Sequence, residues 1–331
     1  MAGGTGGGAS DRVVLGLDIG GTKLAAGVVD AAGRVRSFLV TPTYAEAGPG
    51  AVLDRLFALG HRAVAAAGPA ELAGVGVGCG GPLDPVAGVA QCPPHLPGWT
   101  DVPVVRRVED VFGLPAVLDN DATAAAAGEH RFGAGRGLRH LVYLTLSTGV
   151  GGGVVLDGSL YRGATGNGGE LGHVRVTGGD RPCACGRTGC LEAYVSGTNI
   201  AARAREALAA GAGPSVLTPA ATAADVAAAA RHGDPLASRI WAETVALLAD
   251  GLTSLVNLFE PQIVVLGGGV TRSGEALLGP VRAAIRANAL VPALRHTPVV
   301  LSTLGDRVGV AGAAAVALDR LVPTPAAGVP A

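Results

Sequence analysis

Aromatic residues make up only 3% of the 331 residues, and among 25 basic side chains a single one, Lys23, is lysine. A core poor in rings must be filled by aliphatic and small side chains. Gly 54 and abundant Ala supply much of a chain that is 49% hydrophobic. That mixture suits an α/β protein with many tight strand–helix turns better than an all-β sandwich. Excess charge of either sign is also missing: the formal net charge is -1, which argues against a broadly basic nucleic-acid-binding surface. Long apolar runs are absent too, since L-V-Y-L-T-L-S-T-G-V-G-G-G-V-V-L is broken by Gly, Ser and Thr, and no membrane span is expected. The N-terminal M-A-G-G-T-G-G-G-A-S has neither the basic flank nor the apolar run of a secretory or transit segment. Residues 1–11 and 323–331 are expected to be flexible tails, and the protein soluble and cytoplasmic. Five cysteines, an odd number without a signal segment, favour a metal site or free thiols over a disulfide framework.

What is present is a repeated order of elements. An apolar strand over Arg12 to Leu17 is followed by the glycine turn D-I-G-G-T-K, an apolar segment from Leu24 to Val29, a turn at Ala31 to Gly33, and a strand-like run from Val35 to Val40. This predicts an antiparallel meander opening an α/β domain. A helix is expected from Ala51 to about Ala67, with Leu53, Leu56, Phe57 and Val64 on one face. A strand from Leu72 to Gly78 and a helix–strand pair then lead to A-V-L-D-N-D, and a helix from Ala122 to His130 follows. The order restarts at His140: strand L-V-Y-L-T-L, glycine turn S-T-G-V-G-G-G, second strand V-V-L-D-G-S-L. Ala-rich helices at Asn199 to Ala209, Thr222 to Arg231 and Leu236 to Phe259 come next. The strand-turn I-V-V-L-G-G-G-V and a closing helix from Gly309 to Leu321 complete the chain.

Three sets of residues carry chemistry. The first is the three glycine turns, Asp18 to Lys23, Ser147 to Gly153 and Gly267 to Gly269, each at a strand end. Glycine lets backbone N–H groups close on phosphate oxygens with no Cβ in the way. Three such turns, two of them in copies of one β module, point to a nucleotide held between two related domains. Asp18 can bind Mg²⁺ through water or serve as a turn-forming aspartate, while Thr22 and Lys23 offer a hydroxyl and a cation.

The second set is Asp119-Asn120-Asp121, at the carboxyl edge of a strand and the start of a helix, where open α/β folds bind ligands. One of the three is expected to cap the helix. Transfer of a phosphoryl group to a hydroxyl needs a group that accepts the proton, here Asp121 or Asp119, with Asn120 bonding a neighbouring hydroxyl. The third set is G-G-E-L-G-H, containing Glu170 and His173, followed by C-A-C-G-R-T-G-C-L-E from Cys183 to Glu192. One imidazole (His173) and three thiolates (Cys183, Cys185, Cys190) make a closed tetrahedral zinc set with no position for a catalytic water. Glu170 and Glu192 flank it and can grip sugar hydroxyls.

L-G-L-D-I-G-G-T-K, N-D-A with Glu129 after it, G-E-L-G-H and C-x-C-G-x-x-G-C-x-E together resemble the ROK family of sugar kinases and repressors, from about Val13 to Leu318. The resemblance implies a two-domain actin-like ATPase (ribonuclease H-like) fold. Each domain would be a mixed β-sheet with flanking helices: residues 12–122 with 306–322 the smaller, 123–305 the larger, carrying the zinc loop 173–192. It implies Asp121 as general base, and Asn120, Glu170, His173 and Glu192 on the hexose, with His173 also on zinc. Gly20, Gly21, Thr22, Lys23, Thr148, Gly149, Gly267, Gly268 and Gly269 would bind ATP, with Mg²⁺ between the phosphates. Repressors of the family place a winged helix of several dozen residues before D-I-G-G-T, whereas about ten glycine-rich residues precede Val13 here. The expected activity is therefore phosphorylation of a hexose at its 6-hydroxyl, glucose first. N-acetylmannosamine, N-acetylglucosamine, allose, fructose and mannose are the alternatives, and a sugar-sensing regulator stands behind them. Polyphosphate is an alternative donor. The expected assembly is a homodimer or homotetramer, with no nucleic-acid or membrane partner. One departure concerns the sugar: between C-P-P and L-P-G-W, where many sugar kinases of the family carry Asn, this chain has His95.

Overall fold

The computed structural model describes residues 12–322; both expected tails lie outside them. The elements run in the order β1 (Arg12–Ile19), β2 (Lys23–Asp30), β3 (Leu39–Pro42), α1 (Gly48–Ala67), β4 (Glu71–Cys79), β5 (Leu83–Asp84), β6 (Val89–Ala90), α2 (Val104–Phe112), β7 (Ala116–Asn120), α3 (Asp121–Phe132), β8 (Leu141–Leu146), β9 (Val150–Leu156), β10 (Ser159–Tyr161), α4 (Glu192–Val195), α5 (Gly197–Ala209), α6 (Ala223–Arg231), α7 (Pro235–Phe259), β11 (Ile263–Gly267), α8 (Glu275–Asn288), β12 (Val299–Leu301) and α9 (Val308–Leu321). They form two compact units. The first holds the chain to Arg136, Arg162–Gly168 and the stretch from Asp306; the second holds Gly137–Tyr161 and Gly169–Gly305.

Each unit is built on a five-stranded mixed sheet, and the two sheets share one plan. The first has the order β3-β2-β1-β4-β7 and the second β10-β9-β8-β11-β12. In both, the central strand is antiparallel to the strand that follows it in sequence and parallel to the next one on its other side. The strand–turn–strand echo in the sequence is thus an echo of topology.

In the first unit, Val13, Leu15, Leu17 and Ile19 of β1 face α1 and α2, while Val14 joins Val310, Ala314, Ala317 and Leu318 of α9 on the other side. Burial on both faces explains why β1 reads as a continuous apolar run rather than an alternating one. The shortage of rings has a geometric counterpart here. A Cβ on Gly76 of β4 would stand 1.9 Å from the Ala313 carbonyl oxygen of α9, one on Gly16 would stand 2.3 Å from that of Val310, and one on Gly312 would stand 2.3 Å from that of Ala124 in α3. α9 therefore lies almost on the backbone of the sheet and of α3. Gly76→Ala should cost about 1–3 kcal/mol through forced separation of these layers and lower the thermal midpoint by roughly 2–10 °C. Gly50→Ala, in open space on α1, should leave the midpoint unchanged or raise it; equal melting of the two variants would refute this packing account.

That contact also moves a boundary. The smaller domain was expected to end at Ala122, but α3 belongs to the first unit because its alanines pack along α9. Arg162–Gly168 joins that unit as well, pinned by hydrogen bonds from Arg162 Nε to Asp119 Oδ2 (2.8 Å) and from Leu83 N to Asn167 Oδ1 (3.0 Å).

Three local expectations are corrected. V-V-L-D-G-S-L is not one strand: Asp157 and Gly158 adopt φ of 51° and 78° and turn the chain between β9 and β10, as consecutive left-handed residues do in a two-residue hairpin. The run from Val35 is a strand only from Leu39, because Val28 N bonds the Ser37 hydroxyl (3.1 Å) where a ladder carbonyl would stand. α8 was not foreseen, its pattern being interrupted by Pro280. In the second unit α5, α6, α7 and α8 contribute to the core on one face of the sheet. α7 is the one helix among the described residues long and apolar enough to cross a membrane, and half of that stretch is buried. Its Leu248, Leu252, Leu255 and Val256 belong to the unit's core.

Candidate active site and metal-ligand cluster

In the first unit the ends of β1, β4 and β7 lie in register, with Asp18 opposite Gly78 and Gly78 opposite Asp119. The chain leaves β1 through Gly20 to Thr22 and returns in β2 at Lys23. This turn is tightly braced: Gly20 N donates to Lys23 O (3.1 Å), the Thr43 hydroxyl donates to Gly20 O (2.6 Å), and Thr43 N donates to Thr22 O (3.0 Å). Thr22 and Lys23 themselves remain exposed. Nothing in the sequence around Thr43 marks this role, since the contact spans more than twenty positions.

Asp119, Asn120 and Asp121 divide their tasks. Asp119 is fully buried and its Oδ2 accepts from Arg162. Asn120 is the N-cap of α3, its Oδ1 accepting from Ala122 N (2.9 Å) and Thr123 N (3.1 Å). Asp121 Oδ1 accepts from Ala122 N (2.8 Å), and its carboxylate faces the Asp18 carboxylate across Gly78. A Cβ on Gly78 would lie 3.6 Å from Asp121 Cα and 3.7 Å from Asp18 Oδ1. Of the two aspartates left open as proton acceptor, Asp119 is committed to an arginine.

The two remaining carboxyls are electrostatically strained. Burial first, then the Asp121 carboxylate, push Asp18 up to about 7, with Lys23 pulling the other way. Burial also raises Asp121, against the Ala122 N–H and the charge of His95. Two carboxyls raised by a shared, partly dry environment are what a proton-accepting site requires. Gly309 of α9 completes the walls, since a Cβ there would stand 2.3 Å from Asp18 Oδ2. His95, exposed, rests on the glycine turn: a Cβ on Gly21 would stand 2.8 Å from His95 Cβ.

In the second unit two glycine turns are neighbours. β8 and β11 are parallel, with Thr145 opposite Gly267, so the turns at their ends meet. A Cβ on Gly268, which has φ of 87°, would stand 2.4 Å from Leu146 O. Only glycine accepts both that φ and that approach. Thr148 is exposed and Gly149 half-buried.

The cysteine segment folds as a small bridged loop, with Pro182 pairing Thr188 and Arg175 pairing Cys190. It brings His173, Cys183, Cys185 and Cys190 together, their ligand atoms all within 4.8 Å of one another. His173 Nδ1 lies 3.5 Å from Cys183 Sγ, and Cys185 Sγ lies 3.7 Å from Cys190 Sγ. A tetrahedron with metal–sulfur bonds of about 2.3 Å and a metal–nitrogen bond of about 2.05 Å has edges of about 3.8 Å and about 3.6 Å. The cluster therefore fits a four-coordinate metal. The other ring nitrogen of His173, Nε2, lies 3.9 Å from Glu170 Oε2, and Glu170 is exposed. Glu192 Oε2 accepts from Val150 N (2.9 Å), a partner the sequence did not foretell.

Comparisons with known proteins extend over nearly the whole chain. The profile described as ROK family matches residues 14–320. A glucokinase from Thermotoga maritima is 36% identical over 314 residues, covering 93% of this chain and 98% of its own. The structure of a ROK family glucokinase from Streptomyces griseus, solved in complex with glucose and AMPPNP, superposes with a TM-score of 0.78 at 36% identity, covering 92% of this chain and 98% of its own. A ROK hexokinase structure from Thermus thermophilus gives 0.75 at 40%, covering 92% and 97%.

Proposed function

Because this chain belongs to the ROK family, we propose that it is a sugar kinase transferring the γ-phosphoryl group of ATP to the 6-hydroxyl of a hexose, with glucose the preferred acceptor. The observation that carries this reading is the sorting of the D-N-D triplet. Asp119 is held by Arg162 and Asn120 caps α3, which supports Asp121 as the member of the triplet that takes the proton. Asp121 accepts the proton of the hexose 6-hydroxyl as that oxygen attacks the γ-phosphorus and ADP leaves. The Asn120 amide group, Glu170, His173 and Glu192 bind sugar hydroxyls. Gly20 to Lys23, Thr148, Gly149 and Gly267 to Gly269 receive the nucleotide, with Lys23 and the turn N–H groups facing its phosphates. Asp18 would hold, through water, the Mg²⁺ that comes with ATP, and that ion would supply charge neutralisation at the phosphates. His173, Cys183, Cys185 and Cys190 would hold Zn²⁺, which would fix the loop that presents Glu170 and Glu192. With all four ligands supplied by protein it has no reacting position. The enzyme is soluble and acts in the cytoplasm.

A coupled ADP-release assay across glucose, mannose, fructose, allose, N-acetylglucosamine and N-acetylmannosamine tests the reading, with polyphosphate as a second donor. Glucose with ATP should give the highest kcat/KM. Turnover of none of these sugars would overturn it, and a preference for an N-acetylated sugar would reassign the acceptor.

A further inference from the structure

The short helix α4 begins two residues after Cys190, and each of its ends is tied to the turn between β8 and β9. At its start, Glu192 Oε2 accepts the Val150 N–H (2.9 Å). Just past its end, Gly197 N donates to Ser147 O (2.7 Å). The piece between these two ties is stiff. Ala193 N bonds Cys190 O (3.1 Å), Asn199 Nδ2 bonds Glu192 O (3.1 Å), and Ser196 Oγ accepts from Asn199 Nδ2 (2.8 Å) and Asn199 N (3.2 Å). Cys190, Leu191, Ala193, Tyr194, Val195 and Ser196 are all buried. The turn adds one bond of its own, Ser147 N to Gly149 O (2.9 Å), which leaves Thr148 and Gly149 at its tip. Glycine suits position 197, since a Cβ there would stand a tight 3.0 Å from Ser147 O.

We infer that Glu192 is a positioning residue for the nucleotide turn: with the Gly197 amide it clamps both ends of Ser147–Val150 onto a helix anchored at the metal-ligand cluster. The inference rests on the reading that this turn receives ATP phosphates, and it gives Glu192 a task beyond contact with the sugar. Val150 is buried, so its N–H has no ready substitute for the carboxylate, and bonds from backbone N–H to a charged acceptor are among the stronger ones. Held at both ends, the turn presents its tip without having to order it on binding, and preorganisation of this kind appears directly in affinity. The metal-ligand loop would then govern both substrates: sugar through Glu170 and His173, nucleotide through Glu192.

The test measures binding of Mg²⁺–AMPPNP to the metal-loaded protein by calorimetry, without sugar. It compares wild type, Glu192→Ala, Glu192→Gln and Glu170→Ala. Hydrogen exchange of the 147–151 amides and KM for glucose are followed alongside. Glu192→Ala should bind the nucleotide roughly tenfold more weakly, the scale of one lost hydrogen bond to a charged group, with faster exchange at Val150. Glu192→Gln keeps an acceptor oxygen and should stay within about threefold of wild type for nucleotide, while its KM for glucose rises. Glu170→Ala should raise only the KM for glucose. Wild-type nucleotide affinity and unchanged Val150 exchange in Glu192→Ala, with glucose binding lost, would leave Glu192 a sugar ligand alone and overturn the inference. Failure of wild type itself to bind AMPPNP would overturn the kinase reading instead.

Discussion

Asp121→Asn should keep the fold and lose roughly 100-fold or more in kcat, the range for a lost general base, with little change in KM for glucose or ATP. The amide can still accept the Ala122 N–H that Asp121 Oδ1 takes now, so α3 keeps its first turn. What disappears is the group proposed to take the hydroxyl proton. Asp119→Asn supplies the contrast: it weakens a buried partner of Arg162 and should lower the thermal midpoint, whereas Asp121→Asn should not. The pH profile gives a second signature. Asp121 must be ionised to act, and burial raises its pKa, so kcat/KM should fall as pH drops, with an acid limb at higher pH than an ordinary aspartate would give. Asp18, pushed up to about 7 and facing Asp121, titrates with it, so the limb reports the pair rather than either residue. Lys23 and His95 draw the pair downward. Near-normal kcat in Asp121→Asn would remove Asp121 from the role.

How far the sequence reveals such a site depends on whether its cause is local. The Asp18 to Lys23 turn and the C-x-C and C-x4-C spacings are local, since each follows from neighbours in the chain. The turn expected over Ser147 to Gly153 is shorter than that, because Val150 to Gly153 already pair with β8 as part of β9. The D-N-D triplet is half legible. Its place at a strand's carboxyl edge is local, but the sorting of its members is not, because Arg162 lies 43 positions from Asp119 and nothing in either segment announces the other. Thr43, which braces the Gly20 turn from 23 positions away, is silent for the same reason, as is Glu192 on Val150 across 42. α8 was hidden differently. Pro280 reads as a helix breaker, yet it sits one turn past the helix start at Glu275, and the packing of Leu277, Leu278, Val281 and Ile285 into the core outweighs the local preference. The Asp-Gly hairpin at 157–158 has a local turn signal that the two flanking apolar runs mask.

Metal removal should have the second large effect, and it should strike stability before chemistry. Metal analysis should find one zinc per chain. Stripping it with a strong chelator should lower the thermal midpoint by on the order of 10 °C, since structural zinc sites contribute far more than one ordinary hydrogen bond. Exchange across residues 173–192 should speed up first. The cause lies in the thiols. Burial pushes the Cys183 thiol up to about 12 and raises Cys190 as well, so without a cation these two ligands lose their charge and the loop loses its metal bonds. Cys185 and Cys190 are free thiols with Sγ atoms 3.7 Å apart, so chelation is carried out under reductant to keep a disulfide from replacing the metal. Core contacts of Cys190, Leu191 and Tyr194 with the second unit should keep the sheet folded, and the loss should therefore begin in the loop and the turn clamped by α4. Cys185→Ser, at an exposed ligand, should lower metal affinity with the smallest packing change and reproduce the loop's faster exchange. Metal-free protein with unaltered melting and unaltered exchange over 173–192 would refute a structural role for the cluster.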